Sequence, residues 1–221
     1  MQYISKTTLK FLKDLKANNN RDWFLANKSA YETAKKEFEA FVDNLLINIA
    51  EFDPAIGHHT AKDCIFRIYR DVRFSKDKSP YKTHLGAHIT AAAKKSEIHS
   101  RAGYYIHIGP GESMLADGAY MPKGPWLKGI RNELAHNADG FRKIVNGASF
   151  KKYFGTVEGE QLKTAPRDFP KDHPEIELLR YKSFLATHRC KDNTVTAPDF
   201  LEHATVVFRA LYPFDQFLNE A

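Results

Sequence analysis

The fold turns on residues 64–74, which read Cys-Ile-Phe-Arg-Ile-Tyr-Arg-Asp-Val-Arg-Phe. Alternate side chains of a β-strand point to opposite faces of its sheet. One alternation of this run is mainly apolar and contains Phe66, Ile68, Arg70, Val72 and Phe74. The other is ionic and contains Arg67, Tyr69, Asp71 and Arg73. We therefore predict a strand whose apolar side lies on a hydrophobic core and whose ionic side points away from it.

Segments in which apolar residues recur at helical spacing lie before and after this run. Apolar residues three and four apart predict a helix that ends at Asn18 and a long second helix over about 22–50. The second helix is expected to bury a stripe of Phe38, Phe41, Leu45 and Ile49. Strands are predicted near 84–90, near 103–108 and from Met114, with links too short for helical crossovers. Helices are then predicted from Pro125, from Asp139, over about 174–188 and over about 198–218. This order predicts an α+β fold with N-terminal helices, a central mostly antiparallel sheet of hairpin-linked strands, and C-terminal helices.

The composition is that of a globular protein with a substantial core. The chain has 221 residues, of which 43% are hydrophobic and 27% charged, and we expect a single domain over residues 1–221. Its two cysteines, Cys64 and Cys190, form no C-x-x-C pair, which argues against a disulfide scaffold and a cysteine-rich zinc site. No apolar run reaches the length of a membrane span, and the first residues carry no basic stretch ahead of an apolar run, so we expect no secretory leader. We expect a cytoplasmic protein without membrane contact.

Positive charge is concentrated around the ionic alternation. The whole chain has a formal net charge of +6, and residues 60–84 carry a net +4, with seven basic and three acidic residues. Guanidinium groups bind phosphate and carboxylate in a two-pronged geometry. The candidate ligand-binding residues are Arg67, Tyr69 and Arg73 on the strand and Ser75, Lys76 and Lys78 in the loop after it. The alternative is a structural ladder in which Asp71 neutralises both neighbouring arginines. Arg70, on the apolar alternation, is expected to anchor a carboxylate structurally, with Asp22 as the candidate.

Several motifs carry a family resemblance. Residues 18–24, Asn-Asn-Asn-Arg-Asp-Trp-Phe, with Lys28 and Tyr31 after them, resemble the opening motif of the DUF2461 family of uncharacterised proteins. Residues 67–84 are similar to that family's central signature almost residue for residue. Shorter matches follow in family order at 103–107, 110–111, 162–167, 172–174 and 179–184, while Asp168-Phe169 replaces the expected Gly-Tyr-like pair. The resemblance implies one family domain over the whole chain and implies no function.

Three functional hypotheses remain, in this order. The first is binding of a phosphate- or carboxylate-bearing small molecule at residues 67–82. The second is a hydrolase or transferase that uses the same pocket, with Asp71 or His107 as the acid or base. The third is association with nucleic acid. The sequence has no P-loop and no dinucleotide fingerprint, and it leaves the cofactor and the oligomeric state open. No metal site is predicted, because His84 and His88 would lie about 13 Å apart on one strand.

Overall fold

The computed structural model describes residues 2–92 and 98–221 and has an α+β fold, as predicted. Four strands among the described residues form one antiparallel sheet in the order β1-β2-β3-β4. These strands are β1 (Leu85–Ile89), β2 (Tyr104–Ile108), β3 (Met114–Ala119) and β4 (Phe184–Arg189). The helices before the sheet are α1 (Lys6–Ala17), α2 (Arg21–Ala26), α3 (Lys28–Ala50), a 3-10 turn (Pro54–Ile56) and α4 (Ala61–Cys64). The later helices are α5 (Gly124–Val145), α6 (Ala148–Phe154), α7 (Ile176–Leu179), α8 (Asp192–Val195) and α9 (Phe200–Glu220).

The chain forms two compact units. The first contains the residues up to Ile89 together with Tyr105–Leu115 and Arg189–Val206. The second contains Thr90–Tyr104, Ala116–His188 and Val207–Ala221. No helix in the described ranges is long and apolar enough to cross a membrane.

Helix α3 forms the centre of the first unit. The predicted stripe of Phe38, Phe41, Leu45 and Ile49 is fully buried, and α3 packs against α1, α4 and β1. The ring of Phe41 stacks on that of Phe200 with centroids 5.2 Å apart. The predicted helical segment 22–50 is divided into α2 and α3, which meet at Asn27. The stripe is therefore correct, whereas the continuous helix is not.

The prediction of a regular strand over residues 64–74 is wrong. This segment makes isolated antiparallel bridges, Ile65 with Ala87 and Tyr69 with Tyr81, and no continuous ladder. The Arg70 N–H donates to the Pro80 carbonyl at 2.9 Å, but proline has no N–H with which to complete the pair. The chain leaves extended pairing after this point. We name residues 65–83 the arm and residues 71–79 the arm loop.

The second unit corrects the prediction of a helix over 174–188. That segment contains the short helix α7 and then strand β4, because its backbone groups pair outside the segment. Glu158 and Leu185 exchange backbone hydrogen bonds of 2.7 and 2.9 Å. On β3, Gly118 has φ +132°, and a Cβ there would lie 1.9 Å from the Phe184 carbonyl oxygen. Only glycine permits this close approach of two strands.

The other helices of this unit follow the predictions more closely. The segments predicted from Pro125 and from Asp139 form the single helix α5, which is kinked at Asn137. The last predicted helix is α9, shifted by two residues at each end.

Candidate functional site

A cavity of about 330 Å³ opens in the first unit. Its wall comes from the last turn of α1, the turn that follows α1, and the arm. The residues that line it are Lys16, Asn19, Arg70, Asp77, Ser79, Tyr81, Lys82, Thr83 and His84. Three of these side chains are cationic and one is a carboxylate, so the wall carries net positive charge.

A bulge shapes the part of this wall that precedes β1. The Phe66 N–H donates to the Gly86 carbonyl at 2.9 Å, and the Lys82 N–H donates to the Ile68 carbonyl at 2.7 Å. Between these two hydrogen bonds, residue 67 alone lies opposite residues 83–85, so this stretch has two extra residues. Bulges turn side chains away from the regular alternation and occur often beside functional sites. His84 belongs to this bulge and lines the cavity.

The asparagines at 18–20 connect α1 to the cavity wall. Asn19 Nδ2 donates to the Tyr81 carbonyl at 2.9 Å, and Asn19 Oδ1 accepts from the Tyr81 N–H at 3.1 Å. One side-chain amide thus pairs both backbone groups of a residue 62 positions away. Asn20 caps α2 by accepting a backbone N–H at 2.9 Å, and Phe24 of α2 stacks on the Tyr81 ring with centroids 4.0 Å apart. The opening motif therefore positions this wall.

Arg70 holds the two ends of the arm loop together. It donates to Asp77 Oδ2 at 2.5 Å, to the Ser79 carbonyl at 3.1 Å and to Ser75 Oγ at 3.4 Å. The Ser79 hydroxyl and N–H, and then Arg70, lower the pKa of Asp77 to about 2. Arg70 thus anchors a carboxylate, as its position among apolar residues suggested. The proposed partner Asp22 is wrong, because the loop itself folds Asp77 back onto the guanidinium.

Two imidazole rings stack at the edge of the cavity. The ring centroids of His84 and His107 are 3.9 Å apart, and the Tyr105 hydroxyl lies 3.2 Å from His107 Nδ1. Burial, then His107 and Lys82, lower the pKa of His84 to about 3. Burial also lowers the pKa of His107, against the attraction of Glu112. Both rings are neutral at pH 7. Stacked rings present faces to each other, so they are poorly placed to bind one metal ion through their nitrogens.

The predicted ligand-binding residues lie around the arm loop, outside the cavity wall. Arg67, Tyr69, Arg73, Lys76 and Lys78 are exposed, and Ser75 contacts Arg70. Since the strand is not regular, the first three do not form the expected strand face.

The predicted catalytic residues are also separated. Asp71 binds Arg73 at 2.7 Å on the surface, and these contacts lower the pKa of Asp71 to about 2. The ion-pair alternative therefore describes Asp71 and Arg73. His107 is not part of the cavity wall and stacks on His84, which is. A catalytic role for either residue stays a prediction.

The predicted binding segment 67–82 contains five of the nine residues of the cavity wall, but none of the six predicted ligand-binding residues is among them. The wall also includes Lys16, in the first predicted helix, and Asn19, just after it. Tyr81, Lys82 and Thr83 of the wall follow the predicted loop. Asn19 and the later group do lie inside the two longest motifs, at 18–24 and 67–84. The motifs thus marked these residues, whereas strand alternation did not.

Comparison with known proteins places the chain in a family. No curated protein and no solved structure matches it. The model of the DUF2461 family, described as a conserved hypothetical protein, matches residues 7–217 and so covers both motifs that build the cavity. The chain therefore belongs to the DUF2461 family.

Proposed function

We propose that the protein binds a small phosphate- or carboxylate-bearing molecule in the cavity of the first unit. The observation that carries this proposal is the composition of the wall, in which Lys16, Arg70 and Lys82 surround a single carboxylate, Asp77. A concave site with excess positive charge concentrates anions. The volume of about 330 Å³ lies at the lower end of the range for small-molecule sites. We therefore propose a small metabolite as the ligand.

The contacts of the cationic groups suggest how an anion is held. Lys16 lies 3.8 Å from Glu112, a loose pair between two partly exposed groups that costs little to open. Arg70 already binds Asp77, so its guanidinium either shares that carboxylate with the ligand or exchanges it. The neutral ring of His84 can donate a hydrogen bond to an anionic oxygen without a proton being taken up first.

A thermal-shift panel of phosphate, sulfate, citrate and mononucleotides tests the proposal. A ligand at one hundred times its Kd adds about 2.7 kcal/mol to the free energy of unfolding, which raises the Tm of a chain of this size by roughly 5 to 11 °C. The double variant Lys16→Gln plus Lys82→Gln should lose most of this shift. Lys10→Gln is the control, because Lys10 lies on the exposed surface of the same helix and pairs with Asp14. Failure of every anion to shift the Tm, or equal shifts in the double variant and the control, would exclude the cavity as an anion site.

A further inference from the structure

A fully exposed aromatic ring lies in the arm loop. The side chain of Phe74 is 97% exposed, which leaves almost its whole apolar area in water. The guanidinium of Arg73 lies 5.9 Å from the centre of this ring. Tyr69, at the base of the loop, is 51% exposed. The loop thus presents aromatic rings to solvent, with a cation beside the outermost one.

Hydrogen bonds hold the arm loop in this shape. The Val72 carbonyl accepts from the Ser75 N–H at 3.3 Å and from Lys78 Nζ at 3.0 Å. Arg70 closes the base of the loop through Asp77 and the Ser79 carbonyl. These contacts bracket the phenylalanine on both sides. Its exposure is therefore built into the turn and does not depend on a loose chain end.

The charges of the arm divide into paired and available groups. Both acidic residues of the arm loop are engaged, Asp71 by Arg73 and Asp77 by Arg70. Arg67 and Lys76 are exposed and have no ion-pair partner among the described residues. Lys78 contacts only a carbonyl there, so its charge is not neutralised. The outer surface of the arm therefore combines three available cations with an exposed ring.

We infer that the arm loop binds single-stranded nucleic acid, with a base stacked on Phe74 and backbone phosphates bound by Arg67, Lys76 and Lys78. Proteins that bind single strands without strong sequence preference use this combination of aromatic platforms and cations. Every base offers a flat face, so the ring needs no particular sequence. Because these side chains lie outside the cavity wall, this activity is independent of the proposed small-molecule site.

The chemistry of the loop favours a single strand over a lipid surface. Interfacial anchoring by an apolar surface requires a broad buried area, whereas the arm loop offers one phenylalanine with a charged neighbour on its own ring. A duplex would leave its base faces stacked inside the helix and unavailable to Phe74. An unpaired base supplies both a free face and an adjacent phosphate.

Fluorescence anisotropy with labelled single-stranded oligonucleotides, one of deoxythymidine and one of uridine, tests the inference at several salt concentrations. Phe74→Ala should weaken binding roughly 5- to 150-fold, the usual loss for one base stack, and should leave the salt dependence unchanged. Arg67→Gln plus Lys76→Gln should reduce the slope of log K against log salt by about 1.4, since each phosphate contact on a single strand contributes about 0.7. The two oligonucleotides show whether DNA or RNA is preferred.

Ile47→Ala is the matched control for the ring. Ile47 is a 65% exposed apolar residue on α3 in the same unit, and its removal should not change oligonucleotide affinity. Circular dichroism confirms that each variant folds, which the exposure of Phe74 leads us to expect. Absence of binding at 50 mM salt, or equal affinity of Phe74→Ala and the wild type, would overturn the inference. So would Phe74-dependent binding to phosphatidylserine vesicles with no binding to either oligonucleotide.

Discussion

Acid should destabilise this protein through His84 before its carboxylates become protonated. The folded state lowers the pKa of His84 from 6.5 to about 3, mainly by burial and then through His107 and Lys82. Between these values the unfolded chain binds a proton that the folded chain excludes. Stability contributed by the neutral ring is therefore complete above about pH 6.5 and is lost as the pH falls below that value.

The size of the effect follows from the pKa values. Each pH unit below 6.5 lowers the free energy of unfolding by up to about 1.4 kcal/mol for each proton that the folded state excludes. By pH 5.0 the loss of stability through His84 is at most about 2 kcal/mol, because the partly exposed ring retains some hydration. His107, whose pKa is also lowered, acts in the same direction. The carboxylates of Asp71 and Asp77, with pKa values of about 2, lose their contribution only below their ordinary pKa of 3.8. Measurements at pH 5.0 and above therefore exclude the titration of these two carboxylates.

Urea unfolding at pH 7.5 and pH 5.0, followed by far-UV circular dichroism, gives the test. The wild type should lose unfolding free energy between these pH values, and His84→Gln should lose up to about 2 kcal/mol less. His58→Gln is the control, since His58 is an exposed histidine of the same unit, and it should behave as the wild type does. If His84→Gln loses as much stability as the wild type over this interval, the stacked ring is not the group that titrates.

Three further tests, with five substitutions in all, probe the packing of the first unit by thermal unfolding. Asn19→Ala removes two side-chain hydrogen bonds to the arm backbone and should cost about 1 to 3 kcal/mol, or several degrees of Tm; an unchanged Tm would show that water replaces the amide. Arg70→Ala should lower the Tm clearly, whereas Arg67→Ala and Arg73→Ala, which remove exposed side chains, should change it by no more than about 2 °C; the reverse order would contradict the assignment of Arg70. Phe41→Ala should cost about 3 to 5 kcal/mol because its ring is fully buried; a loss below 1 kcal/mol would mean that the core closes over the gap.

The parts of the fold that follow a local period could be predicted from the sequence. Phe38 and Phe41 are spaced to lie on one helix face, and both are buried. Phe74 shows the limit of this reasoning. Alternation assigns it to the core only if the strand continues to that residue, but extended pairing ends near Arg70, opposite Pro80. Beyond that point, alternation along the sequence no longer determines to which face a side chain points, and Phe74 is exposed.

The candidate site depends on contacts that no local pattern contains. The Asn19 side chain binds the backbone of Tyr81, 62 residues later in the sequence, and a bulge with two extra residues places His84 at the cavity. Both are properties of the pairing between segments, which alternation within one segment cannot specify. The motif resemblance marked these residues because it depends on residue identity and not on periodicity. The identity of Asn19 is needed because an amide offers a donor and an acceptor together.

The segment 67–84 carries two surfaces that can be changed separately. Its cavity-lining residues Arg70 and Asp77 are fixed by the hydrogen bonds that close the arm loop, whereas Phe74 and Lys76 take no part in that closure. Phe74→Ala plus Lys76→Gln should therefore abolish most oligonucleotide binding and leave the anion-induced Tm shift unchanged. Lys16→Gln plus Lys82→Gln should do the opposite. If either double variant removes both activities, the cavity and the loop form one continuous binding site, and a bound strand would extend one of its phosphates into the cavity.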